Sequence, residues 1–276
     1  MTPVKKVLAF LALAACLACR RSPADAREEL AKLGVPFTSE EFIARCGQGP
    51  THLIETFLVA GADPNVVYDG PQSSSTPLMA AAGAGRLDIA KQLLKAGARA
   101  DLVAGDGRSA LDAAAANCKH PEVVKFFMDQ GAKPGRQTLF RALWDAESHR
   151  MDCSHATIQY LLEAGADPDE RDTKGQTPLM VAADRNDKES VDLLLAKKAD
   201  VNIQAGPYHW TALHMACGRA VANHRPETLE IVQALLKAGA DPNLKDSFGR
   251  SALQMLGPPS AAPNLNPIRD AITSPR

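Results

Sequence analysis

The phrase Gly-Ala-Asp-Pro returns three times along this chain, as GADPN at 61–65, GADPD at 165–169 and GADPN at 239–243. Three degraded copies lie between, GARAD at 97–101, GAKPG at 131–135 and KADVN at 198–202. Each copy follows a stretch with paired apolar residues, such as AKQLLKA, IQYLLEA, VDLLLAK and VQALLKA. A second phrase follows each after a short loop: STPLMAAA, RSALDAAA, QTLFRAL, QTPLMVAA, WTALHMAC and RSALQML. Their starts at 76, 109, 138, 177, 211 and 251 are spaced 33, 29, 39, 34 and 40 residues apart. A unit this small cannot bury its apolar face alone; stacking against neighbouring copies builds one continuous core. The period therefore predicts a repeat array.

Local chemistry fits two helices per unit. Threonine before the alanine-rich stretch caps the first helix, and proline after it has no N–H to leave unpaired. The alanines make a thin inner helix, while the leucine pair of the second helix faces inward. Gly97, Gly165 and Gly239 follow the second helix, where a left-handed cap favours glycine. Lys198 takes that place in the fifth copy, which predicts a strained or altered cap there. Residues 25–34, DAREELAKLG, form an amphipathic stretch ending in glycine and match only the second half of a unit.

The units resemble the ankyrin repeat family over roughly residues 38–256. Thr211-Ala212-Leu213-His214-Met215-Ala216 matches the family signature Thr-Pro-Leu-His-x-Ala, lacking only the proline; Thr76-Pro77-Leu78 and Thr177-Pro178-Leu179 keep the proline and replace the histidine by Met79 and Met180. The resemblance implies an all-α repeat solenoid of helix-turn-helix units with β-turn fingers, about six repeats plus caps. The N-terminal cap helix is 25–34, the repeats start near 38, 76, 109, 138, 177 and 211, and a C-terminal half repeat starts near 251. The proline-rich residues 257–276 are expected to be poorly ordered.

The resemblance further implies a concave binding surface made of fingers and exposed inner-helix positions. The candidates on it are Tyr68, Val103, Arg171, Tyr208, His209, Trp210 and Phe248 on the fingers, and Asp184, Arg185 and Arg219 on the inner helices. The aromatic residues are the natural anchors, because they dominate interaction hot spots; for Trp210 the alternative is stacking between fingers without touching a partner. The short third finger, GAKPGRQTLF, predicts a dent between repeats three and four. His214 is expected to order the neighbouring loop rather than to act in chemistry.

In this frame Cys118 and Cys153 fall in inter-helix turns of adjacent repeats. Neighbouring helices stack about 8–10 Å apart, slightly beyond a disulfide's usual Cα separation, and the turn at 146–158 is long enough to close that gap. A Cys118–Cys153 bridge is the preferred reading. A zinc site of Cys118, His120, Cys153 and His155, or four unrelated surface residues, are the alternatives. Cys217, at an alanine position, reads as a buried small side chain, and Cys46 as unpaired.

Composition narrows the function classes. Net charge is −1 and aromatic residues make up 5% of the chain, so the basic footprint of a nucleic-acid binder is missing. The sequence contains no Gly-x-Ser-x-Gly, phosphate-binding glycine loop or His-Glu-x-x-His motif; no enzyme activity, cofactor or resident metal is expected.

The N-terminus carries Lys5 and Lys6, then an apolar run at 7–18, then Arg20 and Arg21. The run is too short to span a bilayer and reads as an export signal. LAAC, Leu13 to Cys16, resembles the bacterial lipobox, whose cysteine is lipidated; Cys19 is the poorer alternative, and ADA at 24–26 allows soluble cleavage. The expected organisation is a signal segment at 1–19, a linker at 20–24, a repeat domain at 25–256 and the tail. The expected function is an exported scaffold or adaptor, a lipid-anchored monomer presenting the repeat surface to an envelope protein. The alternative is an inhibitor or immunity-type protein that occludes a toxin or enzyme in the periplasm.

Overall fold

The computed structural model describes residues 21–70, 74–117, 119–135, 137–143, 155–222, 225–260 and 262–274. The chain divides into two compact units, one ending at Arg108 and one beginning at Ser109.

The first unit contains α1 (Pro23–Lys32), α2 (Ser39–Gln48), α3 (Thr51–Val59), a two-residue hairpin of β1 (Tyr68–Asp69) and β2 (Ser74–Ser75), α4 (Pro77–Gly83) and α5 (Leu87–Lys95). α1 packs on α3 and α3 on α5, forming one row; α2 packs on α4, forming the other. The helix predicted at 25–34 starts at Pro23, where Ser22 and Asp25 make a reciprocal capping box, as the short polar side chain before a proline favours.

The second unit contains α6 (Ala110–Ala116), α7 (Pro121–Asp129), α8 (Thr138–Leu143), α9 (His155–Glu163), α10 (Pro178–Arg185), α11 (Lys188–Ala196), α12 (Ala212–Ala222), α13 (Pro226–Lys237), α14 (Ala252–Met255) and α15 (Asn266–Thr273). The inner row runs α6, α8, α10, α12, α14; the outer row runs α7, α9, α11, α13, α15. Inner helices are buried along most of their length: α10 hides Leu179, Met180, Val181, Ala182 and Ala183. Outer helices bury one stripe, such as Thr228, Ile231, Val232 and Leu235 of α13, at the spacing of an amphipathic helix. Each such leucine or isoleucine contributes roughly 1.5–3 kcal/mol by leaving water.

The caps form as their residues dictate. Thr76 Oγ1 accepts the N–H of Met79, and Thr177 Oγ1 that of Met180. Gly97, Gly165 and Gly239 have φ of 95°, 89° and 96°, and Lys198 adopts φ 62° in the same place. Lys198 is thus the altered cap that the missing glycine predicts.

The tail departs from expectation. Residues 263–265 form a short 3₁₀ turn, and α15 follows and packs on α13 as the next member of the outer row. Leu265, Ile268 and Ile272 are buried. The guanidinium of Arg269 donates to the carbonyls of Leu256 (2.7 Å), Ala262 (2.8 Å) and Pro258 (3.2 Å) and to Asn266 Oδ1 (2.9 Å). The proline-rich segment is therefore a loop completing a seventh helix pair, not a loose end. Its apolar residues sit at i, i+3 and i+7, a helical stripe that a reading weighted by proline content overlooks.

The expected lipidation sites Cys16 and Cys19, both cysteines of the expected bridge, and the enlarged turn at 144–154 lie outside the described residues. Among the described residues no helix is long and apolar enough to cross a membrane.

Candidate binding surface

The fifth and sixth fingers follow α11 and α13. In the fifth, Ala205 and Trp210 exchange both backbone hydrogen bonds (2.9 and 3.0 Å), closing a turn through Gly206 and His209. Both turn residues have positive φ, 71° and 51°, so His209 has a backbone role as well as an exposed ring. The two fingers are tied together. Ser247 donates its N–H to the carbonyl of Tyr208 at 2.9 Å, and Gln204 Nε2 donates to the carbonyls of His209 (2.9 Å) and Lys245 (2.7 Å).

On this frame three aromatic rings meet. Tyr208 lies 5.1 Å from Trp210 and 5.8 Å from Phe248, the second pair stacked at 27°. Tyr208 is 46% exposed and Phe248 64%. Trp210 is half-buried against Tyr208, and its indole Nε1 is buried without an acceptor among the described residues. Trp210 therefore supports the stack, and Tyr208 and Phe248 form its outer face. Aromatic pairs of this geometry add about 0.5–1.5 kcal/mol beyond burial.

Arg250, which sequence reasoning missed, sits 4.9 Å from the Phe248 ring centroid. Asp246 holds it there, accepting from its guanidinium at 2.9 and 3.0 Å and from the backbone N–H groups of Phe248 (2.9 Å) and Arg250 (2.8 Å). Burial of the Asp246 carboxyl opposes ionisation, but these donors outweigh it and bring its pKa down to about 2. His214 joins the sixth finger to α12. Its Nδ1 lies 2.8 Å from Thr211 Oγ1 and accepts the Thr211 N–H, leaving Nε2 to donate to the Arg250 carbonyl at 3.3 Å. The imidazole is buried, and burial lowers its pKa; the bond to the Arg250 carbonyl and the Asp246 charge oppose this, and the Arg250 and Lys245 charges add to it. It orders the loop, as its place in the signature implies.

Two of the three inner-helix candidates pair with each other, and the third bonds a neighbouring helix. Arg219 on α12 reaches Asp184 on α10 at 2.9 Å, and Arg185 donates to the carbonyl of Leu143. Arg171 is exposed on the fourth finger. Within the first unit, Val103 is 54% exposed. Tyr68 folds over its own hairpin instead: a Cβ at Gly70 would lie 2.7 Å from its ring.

His155 Nε2 faces Asp187 Oδ1 at 3.0 Å and its Nδ1 faces Glu189 Oε2 at 2.9 Å. The two carboxylates lie on opposite sides of the ring and do not converge on one point. His120 Nδ1 faces Glu122 at 3.1 Å. Cys46 and Cys217 are buried free thiols, each pushed by burial to a pKa of about 12.

Stacked helix pairs with hydrogen-bonded fingers, carrying exposed aromatic side chains on a rigid frame, define a repeat protein built to bind. A family model for ankyrin repeats, in three copies, matches residues 42–138 and 149–246. The chain belongs to the ankyrin repeat family. It is similar to the ankyrin repeat and KH domain-containing protein mask-1 of Caenorhabditis elegans, 33% identical over 193 residues, which are 70% of this chain and 7% of that protein. It is also similar to the human SH3 and multiple ankyrin repeat domains protein 1, 28% identical over 201 residues, 71% of this chain and 8% of that protein. The chain thus spans a small part of the length of these relatives. Among solved structures, the ankyrin repeat domain of Bcl-3 aligns with a TM-score of 0.63 and 25% identity, covering 84% of this chain and 97% of that one. The human ASB11 ankyrin repeat domain aligns at 0.66 with 22% identity over 85% and 98%, a likeness of fold. The family's repeats are generally non-catalytic, and this chain is a protein–protein interaction module.

Proposed function

We propose that this chain is an exported scaffold or adaptor of the bacterial cell envelope, lipid-anchored through Cys16, whose fourth to sixth fingers and inner-helix face hold a protein partner. The observation that carries the binding reading is the Tyr208–Phe248 stack, exposed on two fingers tied by the Ser247–Tyr208 backbone hydrogen bond and by the Gln204 side chain. A rigid aromatic pair presents contact area without ordering cost on binding, which is how hot spots concentrate affinity. The Asp184–Arg219 pair offers polar groups on the neighbouring inner helices. Export is supported by the basic start, the short apolar run and the LAAC segment. Cleavage before Cys16 removes Lys5 and Lys6, leaving 29 basic and 32 acidic residues, a net charge of −3.

Two measurements test the reading. The repeat body starting near Ala24 is used to capture partners from envelope extracts, beside a Tyr208→Ala/Phe248→Ala variant. Loss of a specific partner with the variant supports the surface; equal recovery rejects it. Intact mass of the membrane-extracted protein tests the anchor: an acylated N-terminal Cys16 supports it, and an unacylated chain starting after Ala26 rejects it.

A further inference from the structure

In the first and fifth copies, the last residue of the repeated phrase reaches to the next copy. Asn65 accepts the N–H of Arg99 at 2.8 Å and donates its Nδ2 to the carbonyl of Gly97 at 3.0 Å. Asn202 repeats the pattern, accepting from Asp241 at 2.8 Å and donating to the Gly239 carbonyl at 3.1 Å. The amide side chain makes both bonds because it carries an acceptor and a donor together, whereas an ionised carboxylate carries acceptors alone. The fourth copy has Asp169 instead. Its Oδ1 accepts the N–H of Asp200 at 2.8 Å, the equivalent of the first bond. The equivalent of the second would go to the carbonyl of Lys198, and an ionised carboxylate has no proton to give. Lys198 is also the residue held at φ 62° where the other copies use glycine. Both departures fall on one joint, between repeats four and five.

We infer that Asp169 is a proton-operated clasp at this joint: ionised, it holds the fifth finger by one hydrogen bond, and protonated, by the two that Asn65 and Asn202 make permanently. The proton comes from water on acidification and is donated to the Lys198 carbonyl. The charged groups acting on Asp169 are Asp167 on its own turn and Asp200 across the joint. Burial, and then these two like charges, raise its pKa above the ordinary carboxylate value, while the Asp200 N–H opposes the rise. The sign follows. An acid whose folded pKa is raised is most favourable to the fold when protonated, so its contribution is present at low pH and lost as pH rises through the folded value. Above its folded pKa the joint is in its looser state. It links the finger that carries Arg171 to the finger that carries Tyr208.

The test is hydrogen exchange on the full chain, as protection factors normalised for intrinsic exchange, at about pH 7 and about pH 4. Asp169→Asn is expected to raise protection across residues 199–202 at neutral pH by about threefold or more, the scale of one added hydrogen bond. It should also remove the rise in protection that the unmodified chain shows on acidification. Asp169→Ala, which removes both bonds, should lower protection at both pH values. An Asn variant with unchanged neutral protection and the same response to acid would overturn the clasp. So would an Ala variant indistinguishable from the unmodified chain.

Discussion

The backbone N–H of Ser247 donates to the carbonyl of Tyr208, so the sixth finger is hydrogen-bonded to the tip of the fifth. This bond and that of Gln204 to the Lys245 carbonyl tie the fingers at the spacing where Tyr208 and Phe248 stack. Both rings remain largely outside the core, so their removal should separate binding from stability. Tyr208→Ala combined with Phe248→Ala is expected to weaken a partner by about 2 kcal/mol or more, roughly thirtyfold. The folding cost should stay within about 1.5 kcal/mol, the worth of one aromatic pair. Titration of the partner and denaturant unfolding of the same samples check the two figures.

The buried imidazole of His214 gives the second unit an acid-sensitive element. Its folded pKa lies below the ordinary 6.5 because burial disfavours the cation. Below the unfolded value the unfolded chain takes up a proton that the folded chain resists, so stability is full above that value and falls as pH drops below it. Protonation would also place a proton on Nδ1 facing the Thr211 N–H. His214→Gln should flatten this part of the stability–pH curve. Its cost at neutral pH should be about 1–3 kcal/mol, from buried partners left unpaired. Urea unfolding at several pH values reads both effects.

Lys198 offers a gain. A left-handed residue with a Cβ costs roughly 1–2 kcal/mol, partly offset by the flexibility that glycine adds to the unfolded chain. Lys198→Gly is expected to stabilise the protein by up to about 1 kcal/mol, observed as a higher denaturant midpoint at unchanged slope.

The tail carries the largest expected loss. Ile268 is fully buried between α15 and the rest of the second unit. Ile268→Ala should cost about 2–5 kcal/mol. Arg269→Ala should also destabilise strongly, because it strips donors from the carbonyls that close the loop at 256–262. A tail of no structural consequence would leave the unfolding midpoint unchanged in both variants.

The two buried thiols should be inert. With pKa values near 12, Cys46 and Cys217 hold almost no thiolate at pH 8, and alkylation depends on thiolate. Native protein treated with iodoacetamide is expected to carry no label on either, while unfolded protein labels both. Mass spectrometry of the digests also reads whether Cys118 and Cys153 are found as a bridge.

Much of this architecture was legible because it is written locally. Thr76 and Thr177 announce their helices, the glycines after the outer helices announce their left-handed caps, and the missing glycine at Lys198 announces its own exception. His214 was placed by its signature. What the sequence hid were the shape of single fingers and the contacts between copies. Asp246 and Arg250 are four residues apart, yet the chain does not say that the carboxylate will turn the guanidinium onto Phe248. Nothing near Gln204 says that it will reach the carbonyl of Lys245, forty-one residues on. Asp169 is one letter of a full copy of the repeated phrase, and its meaning depends on what Asn65 and Asn202 do elsewhere in the fold. The tail was misread for a different reason: its prolines outweighed the stripe of Leu265, Ile268 and Ile272.

The fifth and sixth fingers are the proposed seat of the partner. The most direct measurement is the affinity of a captured envelope partner for the repeat body, compared with the Tyr208→Ala/Phe248→Ala variant, with circular dichroism confirming that both are folded. A loss of roughly thirtyfold or more with an unchanged spectrum is expected if these fingers seat the partner. An affinity within error of the unmodified body's would contradict it.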